Sequence, residues 1–321
     1  MKAWPSWRMP YWMRLIVSLA LVVLCIRLVD PHRLISAAAQ VSPIELVAAL
    51  SLNFLGTVFC RAWSSWVVNN ESGVAIPLTG FLKINLIARF YTLTMPRGAA
   101  AVVRWDAYRR GSSGASATAL LAFETLVTLL ILFFTAGLFL AVAPPQDSAI
   151  TRSLEITIWL GTFALVGSML PFFNAKAANI AQNIADNLAR RWPRLETGLS
   201  AFVESVRRYK SIPAATAGQV LMINAVGYAA FVLSAWVITC ALELDLTLLQ
   251  VGWIRSLTML ATLVPVTVAG IGMREAVFII LMGECGVEPP AALAFSLIAF
   301  SLQISLGIIG GGLELKRWLQ R

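Results

Sequence analysis

Apolar residues fall in long blocks separated by short polar intervals, and the blocks have the length that crosses a bilayer, about 20 residues. Full spans are predicted near residues 14 to 29, 44 to 68, 116 to 142, 154 to 172, 213 to 241 and 289 to 315. Two stretches break the pattern. Residues 78 to 110 hold a short apolar arm from Phe81 to Met95, interrupted by Lys83 and Arg89, then Pro96 and a small-residue run ending at Arg104. Residues 248 to 285 run from Leu248 to Val264, then Pro265, small residues and Arg274. Proline lacks the amide a helix interior needs, so each stretch predicts two half-length helices joined at a break. Pro96 and Gly98 mark the first break, and Pro265, Gly270 and Gly272 the second.

Loop charge sets the sidedness, because lysine and arginine collect on the cytoplasmic face. With both termini, residues 105 to 112 and residues 173 to 212 inside, the inner face holds Arg109, Arg110, Arg190, Arg191, Arg194 and further basic residues, and the outer loops hold only Arg33 and Arg152. That asymmetry makes both broken stretches re-enter on the side where they began, the first from the cytoplasm and the second from outside. The expected fold is all-α and polytopic, with about six full spans and two proline-broken re-entrant helical hairpins in inverted orientation. One integral membrane domain then covers residues 1 to 321. Repeated segments of opposite orientation with broken helices are the pattern of transporters that bind near the membrane midplane, although proline and glycine also occur in membrane helices without duplication.

Composition agrees with the pattern: 59% of the 321 residues are hydrophobic and 13% charged, and mean hydropathy is +0.78. A soluble domain is nearer 25% charged. Lys2, Arg8 and Arg14 before the run Leu15 to Ile26 imitate a secretory leader, but the small residues Ala37 to Ala39 lie too far downstream, so an uncleaved first span is expected. Residues 173 to 212 carry seven basic and three acidic side chains. Ile180, Ile184 and Leu188, then Leu195, Leu199, Phe202, Val206 and Tyr209, repeat at helical spacing on either side of Pro193. This predicts an amphipathic cytoplasmic segment against anionic headgroups, with a plain cytosolic linker as the competing reading. The membrane accounts for the positive charge, and nucleic acid is not an expected partner.

Several chemistries find no support. Cys25, Cys60, Cys240 and Cys285 are far apart and His32 is the single histidine, so neither a zinc site nor a histidine triad is expected. Gly270-Ile271-Gly272 lacks the strand and third glycine of a nucleotide loop, and Glu243-Leu244-Asp245 reads as a solvated loop. No nucleophile and base emerge. No enzyme activity, cofactor or metal is expected. Gly307, Gly310, Gly311 and Gly312 permit close helix packing.

Arg104 and Arg274 carry the candidate chemistry, because a cation inside a span normally faces a cavity, a partner or the interface. Unwound backbone beside each would leave amides free at a half-helix N-terminus, where anions bind, and a guanidinium suits phosphate. Arg104 has a competing reading as a residue snorkelling to the interface beside Asp106. Arg274 has one as an ion pair with Glu275 or Glu284. Arg89, Glu124 and Arg255 also lie inside apolar arms or spans and are candidate partners of one another, with surface snorkelling as a competing reading for Arg89.

At these residues the chain resembles the transmembrane-region family of lysylphosphatidylglycerol synthases, the flippase-like integral membrane proteins similar to the N-terminal membrane half of the multiple peptide resistance factor. The resemblance covers roughly residues 12 to 315. It rests on Leu263-Val264-Pro265 through Gly270-Ile271-Gly272-Met273-Arg274-Glu275-Ala276, on Gly286-Val287 and Ala291 to Ser296, and on Pro96 and Gly98 to Arg104. It implies a multi-pass protein of the bacterial inner membrane, both termini cytoplasmic, that moves lipids between leaflets. The chain stops at Arg321, directly after its last span, so synthase activity is not expected to accompany the resemblance. Thr125 follows Glu124 where the family often has arginine, and Ser301 and Gln303 stand on the last span where another is often seen. The expected function is translocation of an anionic phospholipid or polyprenyl-phosphate-linked lipid. The alternative is a non-catalytic membrane partner of a glycosyltransferase or lipid-modifying enzyme.

Overall fold

A computed structural model of the chain describes residues 41–71, 76–95, 98–111, 114–145, 148–173, 179–180, 183, 187, 213–263, 267 and 270–320. Within these the fold is helical, without a strand. The predicted span at 14 to 29, Pro96, Pro265 and most of the amphipathic segment 173–212 lie outside the described residues. In chain order the helices are α1 (Pro43–Phe54), α2 (Cys60–Glu71), α3 (Leu78–Thr94), α4 (Ala99–Gly111), α5 (Gly114–Val142), α6 (Ser148–Phe173), α7 (Ala214–Ala241), α8 (Leu248–Ala261), α9 (Met273–Gly283) and α10 (Pro289–Leu319).

Among the described residues, five helical stretches are long and apolar enough to cross a membrane: Pro43–Asn70, Ser116–Val142, Arg152–Leu170, Ala215–Ala241 and Pro289–Leu319. They coincide, within a few residues, with five of the predicted spans. The chain is a polytopic membrane protein. The first stretch joins α1 to α2 through a π-helical turn, Leu55–Phe59, and its entry is fixed by a capping box. Ser42 Oγ accepts from the Glu45 amide at 3.3 Å, and the Glu45 carboxylate accepts from the Ser42 amide at 2.8 Å.

The two broken stretches form helix–break–helix pairs. At about 1.5 Å per residue, α3 with 17 residues, α4 with 13, α8 with 14 and α9 with 11 each fall short of the roughly 30 Å hydrocarbon core. The breaks use backbone that only glycine adopts without strain: φ is +105° at Gly98, +77° at Gly270 and +85° at Gly272.

Packing relates the two halves by exchange. The span α1–α2 before the first pair lies along α7, the span before the second. The span after the first pair, α5, packs on α8, and the span after the second, α10, packs on α3. Exchanging the halves therefore maps the principal contacts onto each other, as an internal duplication requires. Each pair has its own apolar core, with Phe81, Tyr108 and Phe123 in the first and Trp253, Phe278 and Phe295 in the second. Helix α6 packs mainly on α5 and presents Ile156, Leu160 and Phe163 outward, as a lipid-facing surface does.

Two crossings bring backbones into contact. A Cβ at Gly310 would collide with the Leu86 carbonyl of α3, and one at Gly56 with the Gly227 carbonyl of α7. Small residues are what such approaches need. Gly312, by contrast, faces open space.

Candidate functional site

A cavity of about 250 Å³ lies between the halves, lined from α1–α2, α3, α5, α7, α8, α9 and α10. Four arginines reach it: Arg61 from α2, Arg89 from α3, Arg255 from α8 and Arg274 from α9. The helices place them by simple means. Arg89 lies on α3 and Arg255 on α8, the first helix of each broken pair, and both line the cavity. Arg274 is the second residue of α9, directly after the Gly272 kink. Arg61 is two residues past the π-helical turn, whose Gly56 and Thr57 also line the space. Such turns often mark functional sites, because the extra residue shifts one face of the helix.

The two arginines singled out by sequence are both compensated within the fold. Arg104 is 7% exposed and is ion-paired with Glu124 of α5. That carboxylate also accepts from Ser65 and from Tyr108 at 3.3 Å, while Arg104 donates to the Tyr108 hydroxyl at 3.1 Å. Arg104 does not line the cavity, and its burial separates it from Asp106, which holds Arg109 at 3.2 Å and Arg110 at 2.6 Å on the exposed end of α4. Arg274 is 6% exposed, ion-paired with Glu275 and stacked on Phe300 with its guanidinium 3.9 Å from the ring centre. It does line the cavity. Glu275 additionally accepts from the Gly272 amide at 2.6 Å and from Ser296 at 3.3 Å, so the N-terminus of α9, expected to be open to an anion, already holds a carboxylate.

The first-arm arginines have no such partner. Arg255 is 4% exposed, and among the described residues no carboxylate lies within ion-pair reach. Its guanidinium stacks between Phe231 at 4.1 Å and Phe278 at 5.7 Å, and its Nε makes no hydrogen bond. Among the described residues Arg89 donates only to the Thr57 carbonyl, at 3.4 Å. Glu124, weighed from sequence as a partner for either, bonds neither. The halves thus repeat a rule: the second-arm arginine has a glutamate, and the first-arm arginine has none.

Arg61 escaped the sequence reading, although a lone arginine inside the span 44 to 68 carries the same signal as the others. Among the described residues it forms no ion pair, and its buried Nε is unbonded. The carboxylate that acts on it, Glu124, is already taken by Arg104. Thr258, one turn from Arg255, adds a buried hydroxyl without a partner, and Gln303 of α10 completes the polar lining. Tyr228 fixes the wall by donating to the Gly252 carbonyl at 3.1 Å and bonding Ser256. Asn224 ties α7 to α2 through Ser64 at 2.7 Å.

An uncompensated buried guanidinium is costly, by several kcal/mol per ion after relaxation. Three arginines without an ion-paired carboxylate among the described residues, the buried Arg255 and the half-buried Arg61 and Arg89, line this one cavity. Among the described residues no cluster of histidine, cysteine, aspartate and glutamate is suited to a metal ion.

The sequence profile of a protein family described as Lysylphosphatidylglycerol synthase TM region matches residues 11–311. No curated protein matches the chain.

Proposed function

Since the chain belongs to the lysylphosphatidylglycerol synthase TM region family, and so among membrane proteins of lipid metabolism or transport, we propose that it carries an anionic lipid between leaflets of a bacterial inner membrane. The observation that supports this is the set of three arginines, the half-buried Arg61 and Arg89 and the buried Arg255, that line one cavity inside an apolar bundle with no ion-paired carboxylate among the described residues. The headgroup enters the cavity while the acyl or prenyl tails stay in the bilayer. At about 250 Å³ the space is below the roughly 300–1,000 Å³ of pockets that engulf a whole drug-sized ligand. It suits a headgroup alone.

Arg274 extends the charged wall and is held in orientation by Glu275 and Phe300. Arg104 acts at one remove, locking α4 to α5. The two helix–break–helix pairs are re-entrant, one from each face, and rocking of one half against the other exposes the cavity to alternate leaflets, as in transporters built from inverted repeats.

The test is a reconstitution. Purified protein in liposomes with a labelled anionic phospholipid or polyprenyl phosphate is expected to accelerate its transfer, and Arg89→Ala and Arg255→Ala to abolish that acceleration. Transfer at the wild-type rate in both variants contradicts the proposal.

A further inference from the structure

The described residues inside the bundle present five arginines, Arg61, Arg89, Arg104, Arg255 and Arg274, against two glutamates, Glu124 and Glu275. Each glutamate is engaged by one arginine, so three positive charges remain around the cavity. All three line the same cavity, so their like charges share its space. A ligand that cancels one of the three leaves two mutually repelling charges beside it. A phosphodiester brings a single charge, a phosphate monoester about 1.5 to 2 at pH 7, and a terminal diphosphate, with a second ionised phosphate, approaches three.

From this balance we infer that the preferred ligand is an organic diphosphate, its two phosphate groups lodged among Arg61, Arg89 and Arg255, rather than a singly charged phosphodiester lipid. The arrangement of donors agrees. The guanidiniums come from three different helices, α2, α3 and α8, so no single phosphate has to be reached by all of them from one side. The Nε atoms of Arg61 and Arg255 and the hydroxyl of Thr258 are buried and unbonded, which leaves hydrogen-bond donors for the additional oxygens of a second phosphate. Phe231 and Phe278 hold the Arg255 plane in place before any ligand arrives, so little side-chain order is lost when it binds.

The inference rests on the lipid-carrying reading for the source of the diphosphate, and on the charge balance for its nature. Both are tested by titrating the purified chain, in nanodiscs of zwitterionic phosphatidylcholine, with farnesyl diphosphate, farnesyl monophosphate, phosphatidylglycerol and inorganic pyrophosphate. Farnesyl diphosphate is expected to bind at least tenfold more tightly than the monophosphate, and phosphatidylglycerol more weakly still. Arg61→Gln and Arg255→Gln are expected to draw the diphosphate-to-monophosphate ratio toward one. Equal affinities along the wild-type series overturn the inference whatever the variants do. Phosphatidylglycerol bound as tightly as farnesyl diphosphate, and transferred, overturns it while leaving lipid carriage intact. Pyrophosphate bound as tightly as farnesyl diphosphate upholds the diphosphate and removes the lipid.

Discussion

Arg104 and Glu124, twenty residues apart, form a buried ion pair that fastens the second arm of the first hairpin to the span after it. Breaking one member leaves the other charged and buried, which costs about 3–5 kcal/mol, whereas replacing both with apolar residues of similar volume is often neutral. Glu124→Gln and Arg104→Met are each expected to lower the unfolding temperature in detergent, and the double variant Arg104→Met with Glu124→Leu to recover most of the loss. Additive losses in the thermal unfolding curves contradict the pairing.

Glu275 does two things at once, capping α9 through the Gly272 amide and holding Arg274. Glutamine keeps an oxygen for the cap but loses the charge. Glu275→Ala is therefore expected to destabilise by about 1 kcal/mol more than Glu275→Gln, the size of a lost cap. Equal losses in chemical unfolding would show that the cap contributes nothing.

Gly310 meets the α3 backbone at Leu86, and Gly312, two residues on, meets nothing. Gly310→Ala is expected to cost about 1–3 kcal/mol through overpacking. Gly312→Ala gains helix propensity, up to about 1 kcal/mol. Thermal unfolding of the two variants side by side tests this, and a similar response in both rules out the close crossing.

Arg255 is placed for binding at the expense of stability. Without a ligand its charge is buried and unpaired, so Arg255→Met is expected to raise the apo-protein's stability, by about 1–2 kcal/mol on the scale of buried-ion replacement, while lipid transfer falls to background. A variant that loses stability and keeps transfer reverses the assignment.

Much of the helical layout was legible in the sequence because a membrane imposes length on the segments that cross it. Five of the six predicted spans and the two broken stretches follow from apolar block lengths and from Pro96, Gly98, Pro265, Gly270 and Gly272, and their helices begin and end within a few residues of the predicted limits. The arginines inside apolar segments were visible for the same reason. Their partners were not, since a pair such as Arg104 with Glu124 depends on how α4 turns against α5, which no local pattern encodes. The adjacency of Arg274 and Glu275 left two readings open, a free cation or an ion pair, and the geometry at the Gly272 kink selects the pair. Arg61 was missed because its span looks complete without it. The significance of Arg61 lies in the π-helical turn and in Arg89 across the cavity, both products of tertiary packing.

The most direct test of the central claim, that unpaired cavity arginines hold an anionic headgroup, is an electron cryomicroscopy structure of the chain in nanodiscs containing a prenyl diphosphate. The account predicts phosphate density within hydrogen-bond distance of Arg61, Arg89 and Arg255, with the prenyl tail leading into the bilayer. Phosphate density confined to the outer surface of the bundle, with the cavity holding only water, would contradict it.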